Sequence, residues 1–279
     1  KQEEAFNFLK DNFYHFIFMK KLNVLVAGAT GYIGIQLVKL LVKHKYVNIK
    51  YLCGSTSVGK KISYFDKDLK KKKLPKIINF KQSLLKDVSV VFTALPNGEA
   101  QTLSNQLNDK HILIDLAADF RLNKASEYLK FYKLKHKAKK NISKSIYALP
   151  EIVGNKIKNY KIISCPGCYP TSILIPLIPL IKDGLIKTKN IIIDSKSGYS
   201  GAGRSVHKKY KNHNLYESIK AYGLGFHRHN SEIEQEIKKI TKKDKFNITF
   251  TPHLTPMFRG ILSTIYIETK KGYQLNDIN

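Results

Sequence analysis

The chain has 279 residues, enough for two domains with hydrophobic cores of their own, and 43% of its residues are hydrophobic, as in soluble globular proteins. No apolar run approaches the roughly 20 residues that a membrane-spanning helix needs, so we expect no membrane partner. The three cysteines, at positions 53, 165 and 168, are too few for a disulfide framework, which predicts a reducing, cytoplasmic location.

The formal net charge of +28, from 49 basic and 21 acidic residues, would ordinarily indicate a nucleic-acid partner. The lysines are spread along the chain, however, with one dense run at 67–76, and no basic motif alternates with aromatic residues. We therefore expect no nucleic-acid partner. Only four basic residues are arginines: Arg121, Arg204, Arg228 and Arg259. Because arginine offers a planar pair of donors, these positions are candidates for binding carboxylate or phosphate groups.

The chain begins with a segment that is a poor signal peptide. Residues 1–18 contain acidic residues among scattered aromatic ones and only a short apolar patch. We expect an extraneous or loosely ordered arm here.

A strand, a glycine-rich turn and a helix follow. The apolar run 22–27 leads into Gly-Ala-Thr-Gly-Tyr-Ile-Gly at 28–34 and then into helical spacing. In this context the glycines indicate a dinucleotide-phosphate site, where Gly28 makes the tight turn, Gly31 admits a pyrophosphate to the helix N-terminus and Gly34 allows close packing. The candidate cofactor-binding residues of this turn are Gly28, Thr30, Gly31, Tyr32, Ile33 and Gly34.

The second strand, predicted at 47–52, ends in Cys-Gly-Ser-Thr-Ser at 53–57, with Lys60 and Lys61 close behind. No acidic residue stands where NAD-dependent enzymes hold the ribose hydroxyls. Hydroxyl groups with lysines suit a 2′-phosphate instead, which favours NADP as the cofactor. Ser55 and Lys60 are the candidate residues.

Two further strand–helix units predict a parallel, doubly wound sheet, with its ligand crevice at the carboxyl ends of the strands. The run 88–95 leads into Pro96, Asn97 and Gly98, which are candidate cofactor ligands. The run 111–115 leads towards Asp119 and Arg121. For these last two residues, an ion pair with each other is as well founded as contact with a ligand.

The segment Ser-Cys-Pro-Gly-Cys-Tyr-Pro-Thr-Ser at 164–172 lies between a β-like run at 160–164 and an apolar helical run at 173–181. A cysteine at such a junction meets unpaired backbone N–H groups and the positive end of the helix dipole, and both lower a thiol pKa. Cys168 is thus the candidate nucleophile, with Gly167 letting a substrate approach the backbone. A buried structural cysteine is the alternative.

A later strand, predicted at 190–194, runs into the Ser/Gly-rich segment 195–204, which ends in Arg204. This pattern is typical of an oxyanion-binding loop, with a flexible linker as the alternative. The runs 246–251 and 261–268 alternate as strands of an antiparallel sheet.

Two histidines, His227 and His229, come just before a helix for which Asn230 or Ser231 is the expected cap. A helix N-terminus favours the neutral imidazole, which can act as a general base or acid near pH 7. A histidine with a purely structural role is the alternative.

Three other chemistries are compatible with parts of this pattern. The pair Cys165 and Cys168 forms a Cys-x-x-Cys motif, typical of thioredoxin-like redox sites, although those follow the first strand of their domain. The same cysteines with His227 and His229 supply zinc-ligand types at an atypical spacing, so no metal is expected. The glycine turn also occurs in short-chain dehydrogenases, but no Tyr-x-x-x-Lys pair falls where their catalytic pair lies.

From about residue 19 to residue 268 the chain resembles the N-acetyl-γ-glutamyl-phosphate reductase family, relatives of the aspartate-semialdehyde dehydrogenases. The motifs that carry the resemblance lie, in order, at 28–34, 59–62, 94–98, 118–122, 147–151, 166–171, 197–204, 227–229 with 232–235, and 251–254 with 259–262. They are spread over the whole chain, which makes their combination specific.

The resemblance implies an α/β fold with a doubly wound Rossmann sheet at 19–164, which binds NADP. An α+β substrate and dimerisation domain with a mixed or antiparallel sheet follows at 165–279, C-terminally incomplete. Cys168 is then the nucleophile, with His229 preferred over His227 as acid/base. The implied substrate-binding residues are Arg121, Ser197, Gly198, Arg204, Arg228, Glu232 and Arg259. A homodimer or homotetramer is expected.

The implied reaction is NADPH-dependent reduction of N-acetyl-γ-glutamyl phosphate to the semialdehyde and phosphate, through a thioester on Cys168, in arginine biosynthesis. The alternatives are a sister reductase acting on a carrier-protein-bound aminoadipyl phosphate, aspartate-semialdehyde dehydrogenase, or a non-catalytic NADP-binding regulator. Two residues depart from the family pattern. Cys165 replaces asparagine, which predicts an inactivating disulfide with Cys168, and Ser231 replaces the proline before Glu232.

Overall fold

The computed structural model describes residues 21–203, 217–241 and 246–272, so the arm expected at 1–18 and Arg204 lie outside the described residues. The strands are β1 (Leu22–Ala27), β2 (Val47–Cys53), β3 (Ile77–Ile78), β4 (Val90–Thr93), β5 (Ile112–Asp115), β6 (Ser145–Tyr147), β7 (Ile162–Ser164), β8 (Ile191–Ser197), β9 (Lys220–Ala221), β10 (Ile248–Leu254) and β11 (Ile261–Tyr266). The α-helices are α1 (Tyr32–Leu41), α2 (Glu99–Ser104), α3 (Ala125–Tyr132), α4 (Lys139–Ile142), α5 (Pro150–Val153), α6 (Cys168–Lys182) and α7 (Arg228–Thr241). Short 3-10 helices lie at Ile62–Tyr64, Lys67–Leu69, Gln82–Asp87, Gly154–Asn159 and Tyr199–Ala202.

The strands form a seven-stranded sheet in the order β3-β2-β1-β4-β5-β7-β6 and a four-stranded sheet in the order β11-β8-β10-β9. The pairings recorded within the larger sheet are parallel. The doubly wound α/β fold predicted from the sequence is therefore confirmed. By its internal contacts the chain divides into two compact units, residues 1–92 and 93–279. The domain boundary expected at residue 164 stays a prediction.

The first unit is built on β1, whose nearly continuous apolar sequence suits a strand covered on both faces. It pairs in parallel with β2, which in turn pairs with β3. Helix α1 begins at Tyr32 and buries one stripe of side chains, Ile35, Val38 and Leu41, at helical spacing. The predicted order of strand, glycine turn and helix is confirmed.

In the second unit, β7 lies between β5 and β6 and pairs in parallel with both. Asp115 is the register partner of Ser164, so the carboxyl end of β5 is directly beside the segment that leads to Cys168. The sequence analysis missed β6, because a three-residue strand gives too short a pattern to detect.

Helix α6 is the central element of the second unit. It starts at Cys168, five residues before the apolar run that predicted it, and contains Pro176 and Pro179. Its buried face packs into a cluster with residues from β8, α7 and β10, namely Ile173, Leu174, Leu177, Ile178, Ile191, Ile193, Ile233, Ile237 and Phe250. This packing fixes the first turn of α6 relative to the start of α7, where His229 lies on the helix and His227 immediately precedes it.

The smaller sheet is mixed. Strand β10 runs parallel to β8, whereas β11 runs antiparallel to it. The last two strands were predicted as members of an antiparallel sheet; they do lie in one sheet, but β8 lies between them and makes the sheet mixed. None of the described helices is long and apolar enough to cross a membrane.

Candidate active site

The glycine turn of the first unit has the geometry that the sequence predicts. Gly28 has a φ of 82°, a conformation that favours glycine, and its N–H donates to the Cys53 carbonyl at 2.9 Å. A Cβ on Gly34 would lie 2.1 Å from the Gly28 carbonyl oxygen, so only glycine allows this packing. The residue before α1 is Gly31, which has an extended backbone. Among the described residues, no side chain accepts a hydrogen bond from the first N–H groups of this helix. These donors fit a phosphate group.

A basic cavity of about 600 Å³ lies beyond β2 in the same unit. Lys60 and Ser55 are both exposed, and the Lys60 ammonium lies 4.8 Å from the centre of the Tyr64 ring. The cavity is lined by Lys60, Lys61, Ser63, Tyr64, Lys67 and Lys70. Four lysines around one cavity suit a phosphate, as expected for the 2′-phosphate of NADP.

In the second unit, the turn that ends at Gly98 is held by Asp119. The Asp119 carboxylate accepts hydrogen bonds from the Gly98 N–H at 2.7 Å, the Gln101 N–H at 3.2 Å and the Tyr128 hydroxyl at 2.6 Å. Of the two alternatives for these residues, the ion pair between Asp119 and Arg121 is not formed, because Arg121 pairs with Glu232. Asp119 instead fixes the candidate cofactor turn at 96–98 and the start of α2, to which its charge is well suited.

Cys168 is exposed at the first position of α6. Packing around the thiol raises its pKa above the ordinary value, whereas the backbone N–H of Tyr169 and the charge of Arg121 lower it. The helix N-terminus thus contributes in the predicted direction, but the predicted net lowering of the thiol pKa is wrong because desolvation outweighs it. The resting side chain is the neutral thiol, which needs a nearby base for attack.

His229 lies against the residue that precedes Cys168. A Cβ on Gly167 would be 2.6 Å from Nε2 of His229, so the imidazole occupies the space that a side chain at position 167 would take. The ring of Tyr169, the second residue of α6, lies 5.8 Å from the His229 ring and 5.6 Å from the His227 ring. Tyr169 thereby places both histidines beside the start of α6.

The two imidazoles have different hydrogen-bonding roles. Nδ1 of His227 accepts from the His229 N–H at 3.2 Å, so His227 caps α7. The expected caps, Asn230 and Ser231, are wrong, because the helix begins at Arg228. By contrast, Nδ1 of His229 is buried and has no partner among the described residues.

Both imidazoles are neutral, as predicted, but mainly for another reason. Burial lowers the pKa of His227 to about 4 and that of His229 to about 3, and the charge of Arg228 acts in the same direction. These values lie below the ordinary 6.5. Between about pH 3 and pH 6.5, the native state therefore binds fewer protons than the unfolded chain. The stability from these residues is therefore present above pH 6.5 and is lost as the pH falls through that window.

Arg121 and Glu232, both expected to bind substrate, bind each other inside the protein. Nη1 of Arg121 lies 3.2 Å from Oε1 of Glu232, and Glu232 has no exposed surface. The other Arg121 nitrogens donate to the carbonyls of Cys165 and Leu116, at 2.8 and 3.2 Å. This pair holds the turn before Cys168, and contact of either residue with substrate stays a prediction.

The remaining substrate candidates that the structure describes lie on two loops that pack together and on α7. A Cβ on Gly198 would lie 2.8 Å from the Arg259 backbone nitrogen, so the loops at 197–200 and 257–260 are in direct contact. Ser197 is buried, and its hydroxyl donates to the Gly198 carbonyl at 3.0 Å, within the same loop. Arg228 and Arg259 are exposed and can therefore reach an anionic ligand.

The other cysteine of the motif, Cys165, is a free thiol. Burial raises the pKa of Cys165 to about 11, and its backbone N–H donates to the Asp115 carbonyl at 2.8 Å. The disulfide between Cys165 and Cys168 stays a prediction. Among the residues that the structure describes, no three His, Cys, Asp or Glu side chains come together as metal ligands would.

The sequence analysis missed the role of three tyrosines. Tyr169 organises the histidines, and the hydroxyls of Tyr132 and Tyr147 donate to Glu232 at 3.2 and 3.0 Å. Tyr147 and Tyr169 belong to the motifs at 147–151 and 166–171, and their place in these motifs could have marked them as site residues. Nothing in the sequence around Tyr132 marks it.

Comparison with known proteins shows what the fold and site are similar to. Residues 23–160 match the family model for the semialdehyde dehydrogenase NAD binding domain, and residues 168–279 match that for the semialdehyde dehydrogenase dimerisation domain. Among solved structures, aspartate semialdehyde dehydrogenase II from Vibrio cholerae, complexed with ASA, has a TM-score of 0.66 at 18% identity, with 93% of this chain and 77% of that chain covered. Aspartate semialdehyde dehydrogenase with NADP from Candida albicans has a TM-score of 0.63 at 18% identity, covering 93% and 75%. The fold is thus that of the semialdehyde dehydrogenases.

The sequence relatives are more specific. N-acetyl-gamma-glutamyl-phosphate reductase from Ehrlichia ruminantium is 41% identical over 260 residues, which cover 92% of this chain and 75% of that protein. The probable chloroplastic enzyme of the same name from Arabidopsis thaliana is 38% identical, covering 93% and 65%. The chain belongs to the N-acetyl-gamma-glutamyl-phosphate reductase family, and the resemblance noted from its motifs is confirmed.

Proposed function

We propose that the protein reduces N-acetyl-γ-glutamyl phosphate to N-acetylglutamate 5-semialdehyde and phosphate, with NADPH as reductant and Cys168 as nucleophile. The observation that carries the proposal is the position of His229, whose Nε2 lies against Gly167, next to Cys168. A neutral imidazole beside a neutral thiol is the arrangement of a base and the nucleophile that it activates.

In this reaction His229 accepts the thiol proton as the Cys168 sulfur attacks the carbonyl carbon of the acyl phosphate. A sulfur–carbon bond forms, the carbon–oxygen bond to phosphate breaks, and the imidazolium returns its proton to the departing phosphate. NADPH, when bound, would supply the hydride that reduces the resulting thioester. The tetrahedral carbon that results then loses its bond to sulfur. This step releases the aldehyde and the Cys168 thiolate, which takes a proton from water.

The exposed arginines supply the substrate's counter-charges in this proposal. Arg228 and Arg259 suit the phosphate and the carboxylate of the substrate, because each guanidinium can donate two parallel hydrogen bonds to an oxyanion. Arg204 and Ser197 with Gly198 are assigned to the same substrate on the resemblance alone.

The reaction is tested in the oxidative direction. The protein should reduce NADP⁺ when given N-acetylglutamate semialdehyde and inorganic phosphate, and the rate should depend on both. Faster turnover of aspartate semialdehyde, or of a carrier-protein-bound aminoadipate semialdehyde, would transfer the assignment to that substrate. NADP⁺ binding without turnover of any of them would indicate a non-catalytic regulator instead.

The cofactor preference is tested at the lysine-lined cavity. Lys60→Ala removes one cation from this cavity, so KM for NADPH should rise about tenfold, in line with 1–2 kcal/mol for a charged contact to phosphate. KM for NADH should stay within twofold, since NADH lacks the 2′-phosphate. Steady-state kinetics with both cofactors measure this, and an equal rise for both would contradict the assigned role of Lys60.

A homodimer is proposed through the outer face of the smaller sheet. Strand β8 exposes Ile192, and β11 exposes Leu262 and Tyr266 on the same face, where Tyr266 and Ile192 are register partners. Such an exposed apolar patch is typical of an interface, and the matching family model is described as a dimerisation domain. Leu262→Glu should convert a dimer to a monomer in light-scattering measurements of molar mass. A wild-type monomer would contradict the proposal.

The same proposal includes a reducing, cytoplasmic compartment. Its support is chemical: Cys168 must be a free thiol to act, and the described cysteines are free.

A further inference from the structure

Glu232 is a fully enclosed charged group near Cys168. Its side chain has no exposed surface, and four donors converge on its two oxygens. Oε1 accepts from Nη1 of Arg121 and from the Tyr132 hydroxyl, each at 3.2 Å. Oε2 accepts from the Gly167 N–H at 2.9 Å and from the Tyr147 hydroxyl at 3.0 Å.

Each oxygen therefore serves a different part of the site. Oε2 holds the backbone of Gly167, the residue immediately before the nucleophile. Oε1 lies 3.8 Å from Nε2 of His229, which is three residues before Glu232 on the same helix. We infer that Glu232 is a positioning residue, whose buried carboxylate fixes the turn before Cys168 relative to the imidazole of His229.

The charge state of Glu232 supports this role. Burial alone would raise its pKa, but the charge of Arg121 and the bonds from Gly167 and Tyr147 hold the pKa below its ordinary value. The group is therefore a carboxylate, which can accept from all four donors at once. A neutral amide cannot, because its NH₂ group would face either the Gly167 N–H or the guanidinium of Arg121.

Positioning of this kind affects the reaction step rather than substrate binding. A displacement of about 1 Å between nucleophile and base costs on the order of 100-fold in rate, whereas the affinity for the acyl phosphate depends on other groups. Glu232→Gln should therefore lower kcat by 10- to 100-fold and leave KM for the acyl phosphate within twofold. A rise in KM at unchanged kcat would overturn the inference and restore Glu232 as a substrate ligand.

Since Glu232→Gln leaves Arg121 buried without its counter-charge, a milder variant is tested beside it. Tyr147→Phe removes one hydroxyl from Oε2 and keeps the ring, so kcat should fall about three- to tenfold, as one lost hydrogen bond to a charged group predicts. The matched control is Tyr51→Phe, which removes the 2.6 Å bond from a tyrosine to Asp87 in the first unit and should leave kcat within twofold. Equal kcat in Tyr147→Phe and wild type would overturn the inference.

The kcat and KM measurements rest on the proposed function, because they use the acyl phosphate as substrate. A second measurement does not depend on that substrate. The rate of Cys168 alkylation by iodoacetamide is followed against pH by mass spectrometry of the peptide. Glu232 raises and Arg121 lowers the thiol pKa, so Glu232→Gln should move the midpoint to lower pH and Arg121→Met to higher pH. Unchanged midpoints in both variants would mean that neither charge is held near the thiol, and that result would overturn the inference. If the reductase assay fails while these opposite shifts are seen, the proposed function falls and the positioning role stands.

Discussion

Replacement of Cys168 by serine is expected to abolish turnover, with a loss in kcat on the order of 1,000-fold or more. A hydroxyl is a far weaker nucleophile than a thiol near neutral pH, and an oxygen ester accepts hydride less readily than a thioester. Serine has nearly the same size and shape as cysteine and fits the same first position of α6, so the melting temperature should change little. Phosphate-dependent NADP⁺ reduction measures the loss.

The matched control for this variant is Cys165→Ser, three residues earlier in the same motif. The Cys165 thiol has a pKa of about 11 and takes no part in the proposed reaction, so this variant should keep most of the wild-type kcat. It should also lose the sensitivity to oxidation that a disulfide with Cys168 would confer. If Cys165→Ser were as inactive as Cys168→Ser, the roles of the two thiols would have to be exchanged.

His229→Asn is expected to lower kcat by about 100- to 10,000-fold, the range for loss of a general base. Asparagine is smaller than histidine, so it fits the space beside Gly167 without a clash, and the loss reports the missing imidazole. Because burial holds the pKa of His229 at about 3, the wild-type rate should show no inflection near pH 6.5. Initial rates between pH 5 and 9 measure both effects.

The second histidine supplies the control. Asn is a good helix cap, so His227→Asn keeps an acceptor for the His229 N–H that His227 now binds. A loss of less than tenfold is expected. A larger loss in His227→Asn than in His229→Asn would assign the acid/base role to His227.

The fold was largely predictable because the strongest patterns are local. The apolar run at 22–27 and the glycines after it determine a strand, a turn and a helix within about twenty residues, and the structure contains all three. The pairing of β10 and β11 depended on a third strand far away in sequence, and alternation within each run contains no such information. The start of α7 was mistaken for a different, local reason: the histidine at 227 supplies the capping acceptor, although Asn230 and Ser231 are the more usual cap residues.

The site was predictable as a set of residues but not as a set of roles. Cys168 and His229 were selected from motifs, and the structure places His229 against Gly167, next to Cys168. The sequence could not show that Arg121 pairs with Glu232, 111 residues away, rather than with Asp119 two residues away. Nor could it show that desolvation outweighs the helix N-terminus at Cys168, because the degree of burial depends on packing between distant elements.

The central claim is that the acyl group passes through the sulfur of Cys168. Its most direct test is to incubate the protein with N-acetyl-γ-glutamyl phosphate in the absence of reduced cofactor and to map any added mass by peptide mass spectrometry. We expect one N-acetylglutamyl group on the peptide that contains Cys168, removable by hydroxylamine and absent from Cys168→Ser. An acyl group on another residue, or turnover with no covalent adduct, would contradict the claim.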